Sequence, residues 1–412
     1  MATPSLAMIP SGYKASKVYS VLPESGVGDF DFTRATTATR VNSSGLIEEM
    51  AINVPRLEYP LIDGVVNGCP SLKLEPQSTN LVEYSEDFSQ WSVFTYGGAS
   101  LNLTSGYLAP DGSANAYEFD FTQSSGGSLI TLDTTTTASA DHSLSIWLKG
   151  KVGGEKVRID FRNGGSSGVS GELFTLTTDW VRYDVTVTND TGTSRGFQIR
   201  LTNSDSIGTE TFYVWGAQLE ELSYATSYIP TSGSAVTRNA ETCNGAGNAA
   251  TFNDSEGVLM AEISALANDL TTRYIAIDSS NSNNYILLRY DTVSNNIAVV
   301  YKAYGLSGVT LTHIVSDVTT FNKVLFKYKD ADFSLWINGL EVSTSNATNR
   351  ISSGNVFNNL TFSVSWNANA KFYGNTKQLQ YYNTVLTDSE LEKLTSWTSF
   401  TDMANGQQYS II

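Results

Sequence analysis

Apolar residues recur at every second position along much of the chain. Leu144, Ile146 and Leu148 alternate with Ser143, Ser145 and Trp147; Val157, Ile159 and Phe161 alternate with Arg158 and Asp160; Val181, Tyr183, Val185 and Val187 alternate with Arg182, Asp184 and Thr186. A period of two sends one set to a buried face and the other towards solvent, so these runs predict strands, and several of them together predict an antiparallel sandwich. A second series begins at Leu259, Ala261 and Ile263 and continues through Ile275 and Ile277, Ile286 and Leu288, Ile297 and Val299, then Val324, Phe326 and Tyr328. Phe333, Leu335 and Ile337 lead into Asn338-Gly339, whose tolerance of positive φ suits a type I′ turn before Leu340 and Val342, and Leu360, Phe362 and Val364 make one more strand. Only one stretch predicts a helix. Thr387 and Glu390 have capping-box spacing, and Leu386 and Leu391 occupy the staple positions that fix the approach of the chain.

Between these series the pattern changes. Residues 1–80 carry short apolar pieces interrupted by Pro4, Pro10, Pro23, Pro55, Pro60, Pro70 and Pro76, which suits an extended attachment or framework region rather than a regular sheet. Phe30, Phe32, Leu57 and Tyr59 lie there in no alternating run long enough to make a core, so their burial is expected against other subunits, and they are the docking candidates. The stretch Thr231 to Thr251 is rich in Ser, Gly, Asn and Ala without apolar rhythm and predicts a linker. The expectation is therefore an all-β chain: an extended region at 1–80, a jelly-roll sandwich at 81–237, a linker at 238–251, and a second sandwich at 252–412 with a short closing helix and a polar tail. Tyr409, Ile411 and Ile412 could seat that tail on a neighbour.

Composition agrees with strands and narrows the partners. Among 412 residues, 41% are hydrophobic and only 16% charged, which leaves few of the Lys and Glu that favour helices. A net charge of −16 without a basic patch repels phosphate backbones and anionic bilayers, so neither nucleic acid nor membrane insertion is expected. The first residues carry no apolar stretch behind a basic segment, so no export signal is expected. Two cysteines, Cys69 and Cys243, are too few for a disulfide framework; synthesis in a reducing cytoplasm is the simpler reading, and a single bridge stays open.

Three strings resemble known proteins. Asp31-Phe-Thr-Arg through Gly45-Leu-Ile-Glu48, then Pro55-Arg-Leu-Glu-Tyr59, Cys69 to Pro76 and Thr79-Asn-Leu81, resemble a recurrent segment of phage structural proteins that commonly precedes a jelly roll. Phe212 to Glu220, Ala225 to Thr231 and Val236-Thr-Arg238 resemble the end of phage-tail and carbohydrate-binding jelly rolls, with Gly216 where the last strand leaves the sheet. Phe333-Ser-Leu-Trp-Ile-Asn-Gly339 and Tyr373 to Glu390 resemble the concanavalin A-like, laminin-G-like sandwiches. The resemblance implies a non-enzymatic bacteriophage virion protein, a tail or capsid fibre component, homotrimeric, assembled in the bacterial cytoplasm with other virion proteins and able to touch host surface polysaccharide. It leaves open tail or capsid and the identity of any glycan, since one fold hosts many functions.

A retaining glycanase needs two carboxyl groups about 5 Å apart, and the Glu-x-Asp-x-x-Glu strand of glucanases on the concanavalin fold does not occur; Glu220 and Glu221 are adjacent and read as solvated turn carboxylates. His142 and His313 lie in no nucleophile or zinc spacing, so no catalytic residue and no metal is assigned. Asp205 to Glu210 and Asp254 to Glu256 offer oxygens, but without a calcium-loop pattern they read as solvated loops; no cofactor is expected, and calcium stays open without a motif to support it. Sugar rings pack on flat aromatic faces. The candidates for glycan contact are Trp91, Tyr96, Trp147 and Trp180 in the first sandwich and Tyr285, Tyr304, Trp366 and Tyr373 in the second. Trp147 stands out because Ile146 and Leu148 point the other way, with subunit packing as the competing role. Two alternatives make different demands: a polysaccharide depolymerase needs clustered carboxylates in a groove, and a secreted bacterial adhesin needs an export signal.

Overall fold

A computed structural model describes residues 2–396, apart from 63, 124, 138, 164–168, 191–193, 280–281, 352–353, 355, 365 and 368–369. The proposed seating of Tyr409, Ile411 and Ile412 lies outside the described residues.

The first alternating series builds two five-stranded antiparallel sheets. One runs Ser92–Tyr96, Gly127–Thr135, Ser194–Thr202, Lys156–Asn163, Val169–Thr175; the other runs Ser100–Tyr107, Ala116–Gln123, Gly208–Glu220, Ala140–Gly150, Val181–Asp190. The chain passes repeatedly between the sheets, so neighbours in space are distant in sequence. Ile130, Ile146, Leu148, Ile159, Phe197, Ile199 and Val214 fill the space between them, with Phe119, Phe121 and Phe212 in ring contact. Alternation places the inward set correctly. Its complement differs from expectation: Ser143, Ser145 and Trp147 are buried too, because the 221–238 return lies over that face, where Arg182 reaches both Ser145 Oγ at 2.8 Å and the Thr226 carbonyl at 2.6 Å.

The second series forms another sandwich. One sheet is Val309–Ile314, Asn296–Lys302, Tyr285–Tyr290, Arg273–Asp278, Asn359–Thr361. The facing sheet begins Leu340–Ser345, Phe333–Ile337, Asn322–Lys329, Glu256–Ala265, Gly374–Tyr382 and then continues into the N-terminal region through Ser71–Leu74 and Arg56–Glu58. Leu6–Met8 pairs along the same edge of Gly374–Tyr382, with Leu6 opposite Tyr381 and Leu72 opposite Thr376. Asn338 and Gly339 take φ of 50° and 88°, as the turn requires. The helix Asp388–Ser396 covers the outside of this sheet, burying Leu386, Leu391 and Leu394 against Val258, Met260 and Trp336. Its capping box forms: the Thr387 amide and hydroxyl each donate to Glu390 Oε2 at 2.9 Å. Glu390→Ala is expected to cost about 1 kcal/mol in denaturant unfolding.

The N-terminal region is therefore not an extended arm. Phe30, Phe32 and Leu57 are fully or nearly buried in the core of the chain's own second sandwich, together with Leu6, Met8, Leu72 and Leu74, and Tyr59 is half-buried. No other subunit is required to bury them: Phe30 packs on Phe362, Phe32 lies opposite Cys243 and Leu57 opposite Leu72, all within the chain. The presumed linker is likewise ordered. Val236–Arg238 pairs with Ser78–Asn80, and Thr242–Asn244 pairs with Phe30–Thr33, placing Cys243 opposite Phe32. Both thiols are free, Cys69 exposed and Cys243 buried.

Where these segments cross, five charged side chains meet out of contact with water: Arg34, Arg56, Glu75, Arg238 and Glu241. Glu241 accepts from Arg34 Nη1 at 2.8 Å, from Arg56 Nε at 2.9 Å and Nη2 at 2.5 Å, and from the Glu75 amide at 3.0 Å. Glu75 Oε2 lies 2.8 Å from both Arg56 Nη2 and Arg238 Nη1. Burial alone would push the Glu75 carboxyl up, but Arg238 and Arg56 hold it well below its ordinary value of 4.5. With the folded value below the unfolded one, the stability Glu75 contributes is present above pH 4.5 and is lost as pH falls through the folded value. A urea midpoint that declines on acidification below that pH is the expected result.

Candidate functional site

The outward face of one sheet of the first sandwich carries a continuous polar row. Directly opposed residues share a face, and register aligns Ser92 with Thr131, Thr131 with Gln198, Gln198 with Asp160, and Asp160 with Gly171, across all five strands. The next row is Phe94, Leu129, Arg200, Arg158 and Leu173. The alternation that sends Val157, Ile159 and Phe161 inward sends Arg158 and Asp160 here.

Thr131, Gln198 and Asp160 form a floor that is almost fully buried beneath the longer side chains, whereas Phe94 is 53% exposed at the rim. Arg200 Nε donates to Asp160 Oδ2. Arg158 donates through Nε and Nη2 to Asp205 Oδ1 at 3.2 and 2.9 Å. The two directly opposed guanidiniums are thus each held by a carboxylate. Burial pushes the Asp160 carboxyl up, and Arg200 and Arg158 counter it. Gly171 leaves the space beside Asp160 free of a side chain, and a Cβ there would run into that carboxylate. Above this buried floor the surface offers the partly exposed guanidinium donors of Arg158 and Arg200 and apolar patches at Phe94, Leu129 and Leu173. Such a set can exchange hydrogen bonds with a polyhydroxylated ring while covering its C–H face.

A second surface lies on the outer face of the other sandwich. Tyr285 and Trp366 stack with centroids 4.8 Å apart and an interplanar angle of 29°. Lys302 sits 5.6 Å over the Tyr285 ring and Arg289 6.0 Å over Tyr274. Buried Ala276, Leu287 and Val300 support the platform.

The remaining aromatic candidates divide. Trp91 is core: its indole Nε1 donates to the Tyr84 carbonyl at 2.9 Å and its ring meets Phe197 edge-on. Tyr96 is exposed on the same edge strand as Phe94, and Tyr304 is exposed apart from the Tyr285 platform. Tyr373 packs against the main core of the second sandwich. Trp147 and Trp180 join Trp215 and Tyr228 in a separate cluster, with Ile146 and Leu148 facing away from it, and Gly216 at φ 66° brings the backbone against Trp147 and Tyr228.

Several polar residues differ from their sequence reading. Glu220 is not a solvated turn carboxylate: it is fully buried and accepts from Ser78 Oγ at 2.6 Å and the Thr226 amide at 2.9 Å. Asp254 is not a solvated loop oxygen either, for its carboxylate caps the Val356 and Phe357 amides at 2.8 and 3.1 Å. Asp205 is committed to Arg158 and the Thr202 amide. His142 is buried and stacked on Phe161. Among the described residues no three His, Cys, Asp or Glu side chains converge as a metal site.

No family model matches the chain, and no curated protein matches it. Solved structures do match over part of it. The CBM40 of the Ruminococcus gnavus IT-sialidase bound to α2,3-sialyllactose is 16% identical, with 37% of this chain and 93% of that chain covered and a TM-score of 0.32. TmCBM61 in complex with β-1,4-galactotriose is 12% identical, with 34% and 97% covered and a TM-score of 0.26. The enzymatically active domain of tailspike protein 4 from bacteriophage CBA120 is 11% identical, with 34% and 21% covered and a TM-score of 0.27.

Proposed function

We propose that the chain is a glycan-binding protein without catalytic activity, and that the sugar lies across the polar row of the first sandwich. The observation that carries this reading is the alignment of Thr131, Gln198, Asp160 and Arg200 on one sheet face beside the exposed Phe94 ring. Asp160 is tied to Arg200 and Asp205 to Arg158, so these buried carboxylates hold the guanidiniums in place rather than serve as a free acid and nucleophile. The Tyr285 and Trp366 platform provides a second contact surface on the same chain.

The strings at 31–81 and 212–238 that resemble phage proteins support a place on a virion, as a homotrimeric tail or capsid fibre component that meets host surface polysaccharide. The test is a panel of neutral galacto-, gluco- and arabino-oligosaccharides incubated with the full chain. Reversible binding of at least one oligosaccharide, with no release of reducing ends, is expected. Cleavage abolished by a single Asp or Glu substitution would replace this reading with the depolymerase.

A further inference from the structure

A groove of about 340 Å³ lies where the N-terminal region, the first sandwich and the second sandwich meet. It falls within the size of small-molecule sites, about 300–1,000 Å³. Trp147 and Arg182, which face each other across adjacent strands, form one wall; Tyr59 and Phe321 add aromatic surface.

The charges in this groove do not balance. Glu58 and Lys73 neutralise one another at 2.7 Å. Lys377 stands 4.1 Å over the Phe321 ring, and its ion-pair partner, Glu262, is 3.9 Å away. Arg182 is in none of the ion pairs among the described residues: Nη1 and Nη2 donate to neutral oxygens of Thr226 and Ser145, and Nε has no acceptor. Trp147 Nε1, on the opposing residue, also lacks an acceptor. The lining thus carries three cations, Lys73, Arg182 and Lys377, against one carboxylate, Glu58, an excess that an anion in the groove would offset. Burial lowers the proton affinity of Arg182; the carboxylates of Glu220, Glu75, Asp184 and Glu58 act against that shift, but none of them pairs with it directly.

We propose that this groove binds a carboxylate-bearing sugar unit, its carboxylate balancing Arg182 and Lys377 and its ring lying against Trp147 and Tyr59. The aromatic walls distinguish a sugar acid from a bare anion, and the net positive charge distinguishes it from a neutral sugar. The site is separate from the polar row and does not depend on it.

The experiment titrates the full chain with D-glucuronate, with glucose and acetate as controls, and follows binding by NMR. Glucuronate is expected to bind at least about tenfold more tightly than either control and to weaken as salt rises. Lys377→Gln, a half-exposed position whose change leaves the core intact, should lose about tenfold, with Lys377→Arg restoring binding. Phe94→Ala should change nothing here, so failure of this site and failure of the polar row are read separately. Absent glucuronate binding, equal binding of glucose or acetate, or an unaffected Lys377→Gln would each overturn the proposal.

Discussion

Replacing Glu241 by alanine is expected to destabilise the protein by about 3–5 kcal/mol, the usual effect of removing one partner from a buried ion pair. Its carboxylate is the shared acceptor of Arg34 and Arg56, whose side chains have no exposed surface. Without it three guanidiniums, those of Arg34, Arg56 and Arg238, remain in a dry junction with Glu75 as the one carboxylate left in the cluster. The effect should spread, because Arg34, Arg56 and Glu75 come from the N-terminal region whereas Arg238 and Glu241 come from the segment joining the sandwiches. Urea unfolding should show a lower midpoint at similar slope. A loss below about 1 kcal/mol would mean that water reaches these charges, as for surface pairs.

Deleting residues 1–80 should have a still larger effect and should prevent the second sandwich from folding. The deletion strips one edge of the strand Gly374–Tyr382 of its partners at Leu6–Met8 and Ser71–Leu74. It also removes Phe30, Phe32, Leu57 and Leu72 from the core. Truncating one large apolar side chain to alanine typically costs about 2–5 kcal/mol, so losing several exceeds the about 5–15 kcal/mol that holds a domain together. An exposed edge flanked by apolar surface also favours aggregation. The truncated chain should be insoluble or lack a cooperative thermal transition. A soluble product with a native-like transition would restore the view of the region as a detachable arm.

These expectations show where sequence reading succeeds and where it stops. Strands such as Lys156–Asn163 were legible because period-two burial is a local property. The turn at Asn338-Gly339 and the capping box at Thr387 and Glu390 were legible for the same reason. The partners of Leu6 and Leu72 were not, since no local pattern says that a short apolar piece pairs with a strand near residue 380. The site follows the same division. Alternation already put Arg158 and Asp160 on an outer face, but only register reveals that Gln198, Thr131 and Arg200 stand beside them. Residue type alone marks Tyr285 and Trp366 as aromatic without showing that they stack, and marks Trp91 equally, which the core absorbs. Phe94 sits in a run that reads as an ordinary edge strand, and only its 53% exposure beside the polar row marks it.

The most direct test of glycan binding on the polar row is a binding isotherm for the tightest oligosaccharide of the neutral panel, measured on the unaltered chain, on Phe94→Ala and on Trp366→Ala. Phe94 is exposed, so its truncation leaves the core intact. The account predicts about a tenfold weaker Kd for Phe94→Ala, the value of one aromatic face against a sugar ring, and little change for Trp366→Ala. An isotherm unchanged by Phe94→Ala and abolished by Trp366→Ala would contradict it and move the principal site to the second sandwich.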